Sequence, residues 1–237
     1  MTTSFLIQII LNVEPNAENS NAASYVSIQG LSNEPKEHVL IELIGAIIGE
    51  PFYEELRTKQ QLGYIVSSGA RAVGKTKSLG FIAQSSTATN EKLTSEIMKY
   101  LDNVRPKFLE NLGKGDFAVY VKSLVDRKLE PDKDLATETT RNWAEISSGR
   151  LQFDRPQREV AALLDLTKED LLEFWDNFFV KDGRRVLITE IVPQVGKTSA
   201  PKPALSSNPN SADLNSPSLV LGIDDIDIYR RDRSQLM

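Results

Sequence analysis

Apolar and polar positions divide this chain into short alternating runs followed by long stripes at helical spacing. Phe5 to Leu11 is apolar and reads as a strand; the polar run Glu14 to Asn21 reads as a loop. Within Ser24–Gln29, Val26 and Ile28 alternate with Tyr25, Ser27 and Gln29, the period of a half-buried strand. Asn33 can cap a helix, and Pro35 suits a first turn, where its missing N–H leaves nothing unsatisfied. Val39, Leu40, Leu43, Ile44, Ile47 and Ile48 then recur at i, i+3/i+4 and predict one broad buried stripe. Gly49 and Pro51 predict its interruption, with a second short helix from Phe52 to about Lys59.

Two strands follow, Gly63–Val73 and Ser78–Ser86, joined by the turn-forming run Gly74-Lys-Thr-Lys77. They predict a hairpin over about 62–86, with Gly69 and Gly80 as candidate bulges. From Thr89 the period is helical for roughly ninety residues. Leu93, Ile97, Leu101 and Val104 form one stripe, carried past Pro106 by Phe108, Leu109 and Leu112 and ended by Gly113. Asp116 is a candidate cap for the next helix, whose stripe is Phe117, Tyr120, Val121, Leu124 and Val125. Trp143 and Ile146 mark a third helix, and Asp154 starts a fourth through Val160, Leu163 and Leu164. Thr167-Lys-Glu-Asp170 is a capping-box variant opening a fifth. Trp143, Trp175 and the phenylalanines sit at helical spacing and are assigned to core packing. Asp182-Gly183 is a turn signal, and Arg185–Val192 a closing strand.

Strand, helix, hairpin, a run of helices and a strand make an α+β fold, because alternating βαβ crossovers are absent. The chain divides into an N-terminal strand and loop (1–20), one α+β domain (21–192), a Pro/Ser/Asn-rich linker (193–218) and a tail that is apolar, then charged (219–237).

Composition narrows the function. The 237 residues carry a formal net charge of −5 with both signs interspersed, so no basic surface points to nucleic acid. No apolar run reaches the ~20 residues that span a bilayer. The apolar N-terminus lacks the preceding basic residues of a secretory signal. With no cysteine, disulfides and thiolate metal sites are excluded, and the balance leans to an intracellular, cytoplasmic setting.

The candidate chemistry is sparse. Gly69-Ala-Arg-Ala-Val-Gly74-Lys75-Thr76 spells a P-loop, but a phosphate cradle needs a helix at Lys-Thr, and the residues after Thr76 read as strand. His38 is the only histidine, so neither H-E-x-x-H nor H-x-x-E-H can be written, and a serine triad would have one base to draw on. Glu34, Glu37, His38 and Glu42 share one helix and read as a solvated face rather than a metal site. Asp224, Asp225 and Asp227 ahead of Arg230 and Arg231 read as a mixed-charge tail. Arg57 at a helix end and Tyr64 at a strand start remain, a cation and a phenol able to hydrogen-bond the carbonyls of a peptide.

Gly49-Glu-Pro-Phe-Tyr-Glu-Glu-Leu-Arg57-Thr-Lys-Gln-Gln-Leu-Gly63-Tyr64-Ile-Val resembles the last domain of insulysin-like members of the pitrilysin family, where the pattern is approximately Leu-Arg-Thr-x-Glu-Gln-Leu-Gly-Tyr. Gln60 departs from the usual glutamate. Gly80-Phe-Ile-Ala-Gln-Ser, Trp143-Ala-Glu-Ile-Ser, Phe153-Asp-Arg155, Leu166-Thr-Lys-Glu-Asp170 and the Arg-Arg-Val strand recur in family order. The resemblance runs from about Asn21 to Arg231. It implies one of four homologous α+β domains of a zinc metallopeptidase, with the zinc in the N-terminal half and a peptide-sized chamber between the halves. It implies that Arg57 binds substrate backbone and that Tyr64 supports the transition state, reaching across the chamber. The zinc ligands and general base of the family are absent here, so the chain alone is expected to be inactive. Its implied partners are a peptide substrate and a zinc-bearing N-terminal half. A freestanding peptide-binding domain is the alternative, and a P-loop nucleotide binder the remote one.

Overall fold

The computed structural model describes residues 6–180, 185–194 and 219–222. Among the described residues six strands form one mixed sheet: β1 (Leu6–Val13), β2 (Ala22–Gln29), β3 (Ile65–Val73), β4 (Thr76–Ser85), β5 (Arg185–Val192) and β6 (Leu219–Gly222), in the order β3-β4-β2-β5-β1-β6. β1 runs parallel to β5 and β6; the other pairs are antiparallel. The helices are α1 (Pro35–Tyr53), α2 (Asn90–Asp102), α3 (Lys114–Lys128), α4 (Leu135–Ser147), α5 (Arg155–Leu164) and α6 (Lys168–Trp175). The fold is the α+β arrangement expected, including the hairpin of β3 and β4. The expected Asp182-Gly183 turn, residues 195–218 of the linker and residues 223–237 of the tail lie outside the described residues.

Register assigns the two faces of the sheet. Val26, Ile28, Leu79, Phe81, Val186 and Ile188 are buried, while the alternate positions Tyr25, Ile82, Gln84 and Thr189 are only partly covered. The core therefore lies on one side, beneath α1, whose Val39, Leu43, Ile44 and Ile48 are fully enclosed. The hairpin has no bulge at Gly69 and Gly80; they face each other in an unbroken register. Gly80 instead makes room for Tyr25, because an added Cβ would stand 2.5 Å from its hydroxyl.

Pro51 does not split α1 as its sequence suggests. The helix runs through it to Tyr53 and continues as a π-helical turn, Glu54–Lys59. An interior proline costs about 3 kcal/mol. Phe52 and Leu56, both fully buried just beyond it, each contribute about 1.5–3 kcal/mol, which offsets that cost. Caps differ from expectation in two places. Gly113, not Asp116, precedes α3, and Asn33 is displaced by Glu34 ahead of Pro35. At α6 the Thr167–Asp170 capping box is present with both reciprocal bonds.

The assignment of every tryptophan and phenylalanine to the core needs correction. Trp175 is 1% exposed, stacked on Phe179. Trp143 is 63% exposed and Phe153 49% exposed. Helical spacing reports a face, and no described residue covers the face of α4 that carries Trp143.

Candidate functional site

Arg57 and Tyr64 are brought together by the way α1 ends. The π-helical turn closes with Gln60 N–H donating to the Glu55 carbonyl, an i→i−5 bond (3.1 Å). Arg105–Leu109 and Asp176–Val180 are also π-helical, so the turn fixes the geometry of this junction without by itself marking a site. Gln61 then takes a left-handed conformation, φ 49°, and Leu62 folds back under the helix, its N–H donating to Leu56 O at 2.9 Å. Gly63 passes directly over the Gln84 carbonyl, where any Cβ would collide with backbone. Tyr64 N–H donates to that same carbonyl at 3.1 Å, which docks the start of β3 onto β4. The fixed exit places the Tyr64 ring in solvent, 84% exposed, with the Arg57 guanidinium carbon 5.9 Å from its centroid.

That stacking contributes about 0.5–1 kcal/mol at an exposed site. It orients both groups and leaves their hydrogen-bonding capacity free. Among the described residues neither side chain makes a hydrogen bond or ion pair within the protein. The floor beneath is rigid and aromatic. Phe52 packs edge-on against Phe81 and Tyr100, and Tyr100 Oη donates to Ile48 O at 3.0 Å. Burial, aided by the Glu55 charge, pushes the Tyr100 phenol well above its ordinary range, so it stays protonated. Lys59 is held by Glu54 at 3.3 Å and by Glu55 at 3.6 Å.

Sequence reasoning missed two neighbours. Tyr53 lies four residues before Arg57 and is 48% exposed; Ile65 follows Tyr64 and is 42% exposed. The signal was available. Tyr53 falls off the buried stripe of α1, yet it is a large aromatic in a run of glutamates.

The second assembly of charge was misread outright. His38 and Glu42 do not lie on a solvated face. His38 is buried, and its Nδ1 stands 3.4 Å from Glu159 Oε1, outside hydrogen-bond geometry. Lys77 pairs with Glu42 and lies 3.3 Å from Glu159; Lys128 reaches Glu42 and Glu159 at 2.5 Å each. Arg155 bridges Glu159 (2.9 Å) and Glu145 (2.6 Å), and Arg150 joins Glu145 to the Gly74 carbonyl at the hairpin turn. Burial alone would raise the Glu159 pKa. His38, Lys77 and Lys128 outweigh it and hold the carboxylate far below its usual range. Glu42 is also lowered: burial opposes its charge, and Lys77 and Lys128 prevail.

These carboxylates already hold ammonium and guanidinium groups, and among the described residues no cluster of three or more candidate ligands could take a metal. Zinc therefore does not fit the described residues. The P-loop spelling folds as the hairpin: Thr76 opens β4, so no helix N-terminus faces a phosphate. Among the described residues no helix is long and apolar enough to cross a membrane.

Comparison with known proteins bears on the family and the fold. The family described as PQQ synthase PqqF-like, C-terminal lobe domain 4, matches residues 43–143. Human insulin-degrading enzyme is 35% identical over 170 residues, 72% of this chain and 16% of its own length. Insulin-degrading enzyme-like 1, peroxisomal, from Arabidopsis thaliana is 33% identical over 164 residues, 69% of this chain and 17% of its own. The chain thus spans about a sixth of the curated relatives it matches. In fold it is similar to pitrilysin, with TM-score 0.73, 19% identity and coverage of 96% of this chain and 22% of that one. It also resembles a peptidase M16 inactive domain from Pseudomonas fluorescens, with TM-score 0.54, 15% identity and coverage of 81% and 45%.

Proposed function

Since this chain is a homologue of the C-terminal lobe of insulin-degrading-enzyme-like, pitrilysin-family proteins, we propose that it serves as a non-catalytic domain that completes the peptide-binding chamber of a zinc metallopeptidase. The observation that carries this reading is the pair itself. Arg57 and Tyr64 stand exposed and stacked at 5.9 Å, on a junction fixed by Gly63 and a π-helical turn. Arg57 donates to backbone carbonyls of an extended peptide. Tyr64 donates its hydroxyl to the scissile carbonyl, where negative charge develops, and its preset orientation avoids reorganisation during the reaction. With His38 as its single histidine the sequence cannot spell the family's zinc motif, and in this reading the metal and the general base come from the other half of the enzyme.

The test is reconstitution with a human insulin-degrading enzyme that lacks its last domain. Tyr64→Phe should lower kcat by about 10²-fold, the usual cost of one transition-state donor. Arg57→Ala should chiefly weaken peptide binding. Unchanged turnover in both variants would sink the assignment.

A second reading is a freestanding peptide-binding domain. The uncovered edge of β3 favours it, since β3 ends the sheet and extends from Tyr64. Titration of the isolated chain with extended peptides separates the two: tight binding without any partner supports the second.

A further inference from the structure

A cleft of about 230 Å³ lies beside the hairpin turn, at the opposite end of β3 from Tyr64. Its charged lining is Arg71, Lys77, Arg150 and Arg155 against one carboxylate, Glu42, and the small side chains of Ala70 and Ala72 leave the space open. Register sets Ala70 and Ala72 opposite Leu79 and Lys77, both buried, so the cleft lies on the helix-covered face of the sheet. Lys77 and Arg150 are built into the fold, with side chains 7% and 4% exposed. The charges behind the cleft do not balance. Lys77, Lys128, Arg150 and Arg155 share three carboxylates, Glu42, Glu145 and Glu159, which leaves one positive charge over. Any proton on His38, beside Glu159, would add to that surplus. Buried charge is stable when it is paired, so a surplus cation calls for an anion. Arg71 at the rim adds a second: among the described residues its guanidinium reaches only the Ala70 carbonyl, at 3.2 Å. Arg155 commits Nε to Glu145 and Nη1 to Glu159, and among the described residues its Nη2 makes no hydrogen bond. Lys77 registers the same deficit. Burial and the Lys128 ammonium hold its pKa below the ordinary lysine value despite Glu42 and Glu159.

We propose that this cleft binds a free dianionic oxyanion of the size of inorganic phosphate, held by Arg71, Arg155 and Lys77. Two surplus positive charges match the two negative charges of hydrogen phosphate. A guanidinium pairs with such an anion through two parallel N–H donors, and Arg71 has them to give. Pockets for drug-sized ligands run to about 300–1,000 Å³, so the cleft takes a small anion with its waters rather than a nucleotide. Bound there, the anion links the hairpin to the start of α5 and stabilises the folded state by mass action. The site is separate from Arg57 and Tyr64 and does not depend on the peptidase reading.

The full chain is titrated calorimetrically and melted with inorganic phosphate in slightly alkaline buffer, where phosphate carries two charges, against chloride at equal ionic strength. Phosphate at about five times its dissociation constant should raise the thermal midpoint by about 2–4 °C. Arg71→Gln, at an exposed position, should fold like the parent and bind phosphate about 10-fold or more weakly, the cost of a charged hydrogen bond. Glu42→Gln removes the one lining carboxylate and should act in the opposite sense, with a lower midpoint in chloride and a larger rise in phosphate. Glycerol 3-phosphate carries the same charge on a larger body and should bind more weakly than phosphate. No binding of phosphate by the parent overturns the proposal, as does equal binding by parent and Arg71→Gln, which would leave an unspecific anion effect. A phosphate rise in Glu42→Gln no larger than in the parent also overturns it. Equal or tighter binding of glycerol 3-phosphate would assign the cleft to a phosphate ester and overturn the free anion.

Discussion

The two ends of the β3–β4 hairpin are held by opposite physics. At the turn end, Lys77 and the Gly74 carbonyl are bound into a buried network that reaches α1, α3, α4 and α5 through Glu42, Lys128, Glu145 and Glu159. At the open end, Tyr64 is attached by one backbone bond and a stacked arginine, and its side chain is left to solvent. The first end is costly to disturb, because its charged groups are committed to one another. The second can be altered at little cost to the fold, and its donors are unspent. A buried charge is stabilising only while its partners remain, so the network holds the hairpin and leaves peptide recognition to the other end.

The largest expected effect breaks the network. Glu159→Ala removes the one carboxylate shared by Lys77, Lys128 and Arg155, leaving Glu42 alone to balance two buried ammonium groups and Arg155 only Glu145. It should cost about 3–5 kcal/mol, read as a lower urea midpoint. Acid sharpens this point. The Glu159 pKa in the folded state lies below its unfolded value near 4.5, so its contribution is full above that value and is lost as pH falls toward the folded pKa. The gap between parent and variant should therefore narrow below about pH 4.5; a gap that widened there would contradict the network. Gly63→Ala comes next, because its Cβ meets the Gln84 carbonyl. Overpacking of this kind costs about 1–3 kcal/mol. Unlike Glu159→Ala, it should displace Tyr64 directly, so it should lower both stability and reconstituted turnover.

The sequence was most legible where one local force decides the outcome. Alternation in β2, the stripe of α1 and the Thr167–Asp170 box all follow from period or capping chemistry. The Arg57–Tyr64 junction was legible as a motif, but its mechanism was not. Nothing in Leu56–Tyr64 announces a π-helical turn, and the close pass of Gly63 over β4 depends on a strand twenty residues away. Pro51 misled because local strain was weighed without the burial of Phe52 and Leu56. His38 and Glu42 misled for a related reason. Four polar residues on one helix suggest solvent, whereas their buried partners come from residues 77, 128 and 159, which spacing cannot bring together. Trp143 failed in the opposite direction, as an apolar residue whose cover is not among the described residues.

Two smaller effects complete the contrast. Thr167→Ala removes a helix cap remote from both hairpin ends and should cost about 1 kcal/mol. Asp170, lowered to about 2 by hydrogen bonds from Lys36 and Thr167, adds stability that is present above pH 4 and is lost as pH falls toward 2. Asp170→Asn should flatten that part of the acid profile without altering reconstituted turnover. The smallest effect on the fold is Tyr64→Phe. The ring, its exposure and its stacking on Arg57 are retained and only the unpaired hydroxyl is lost, so the unfolding free energy should stay within about 0.5 kcal/mol. The same variant is expected to lower turnover of the reconstituted enzyme about 10²-fold. A stability loss above 1 kcal/mol would mean that the hydroxyl has a structural partner. Unchanged turnover with unchanged stability would mean that the exposed end of the hairpin carries no chemistry at Tyr64, and the contrast between its ends would reduce to a difference in packing alone.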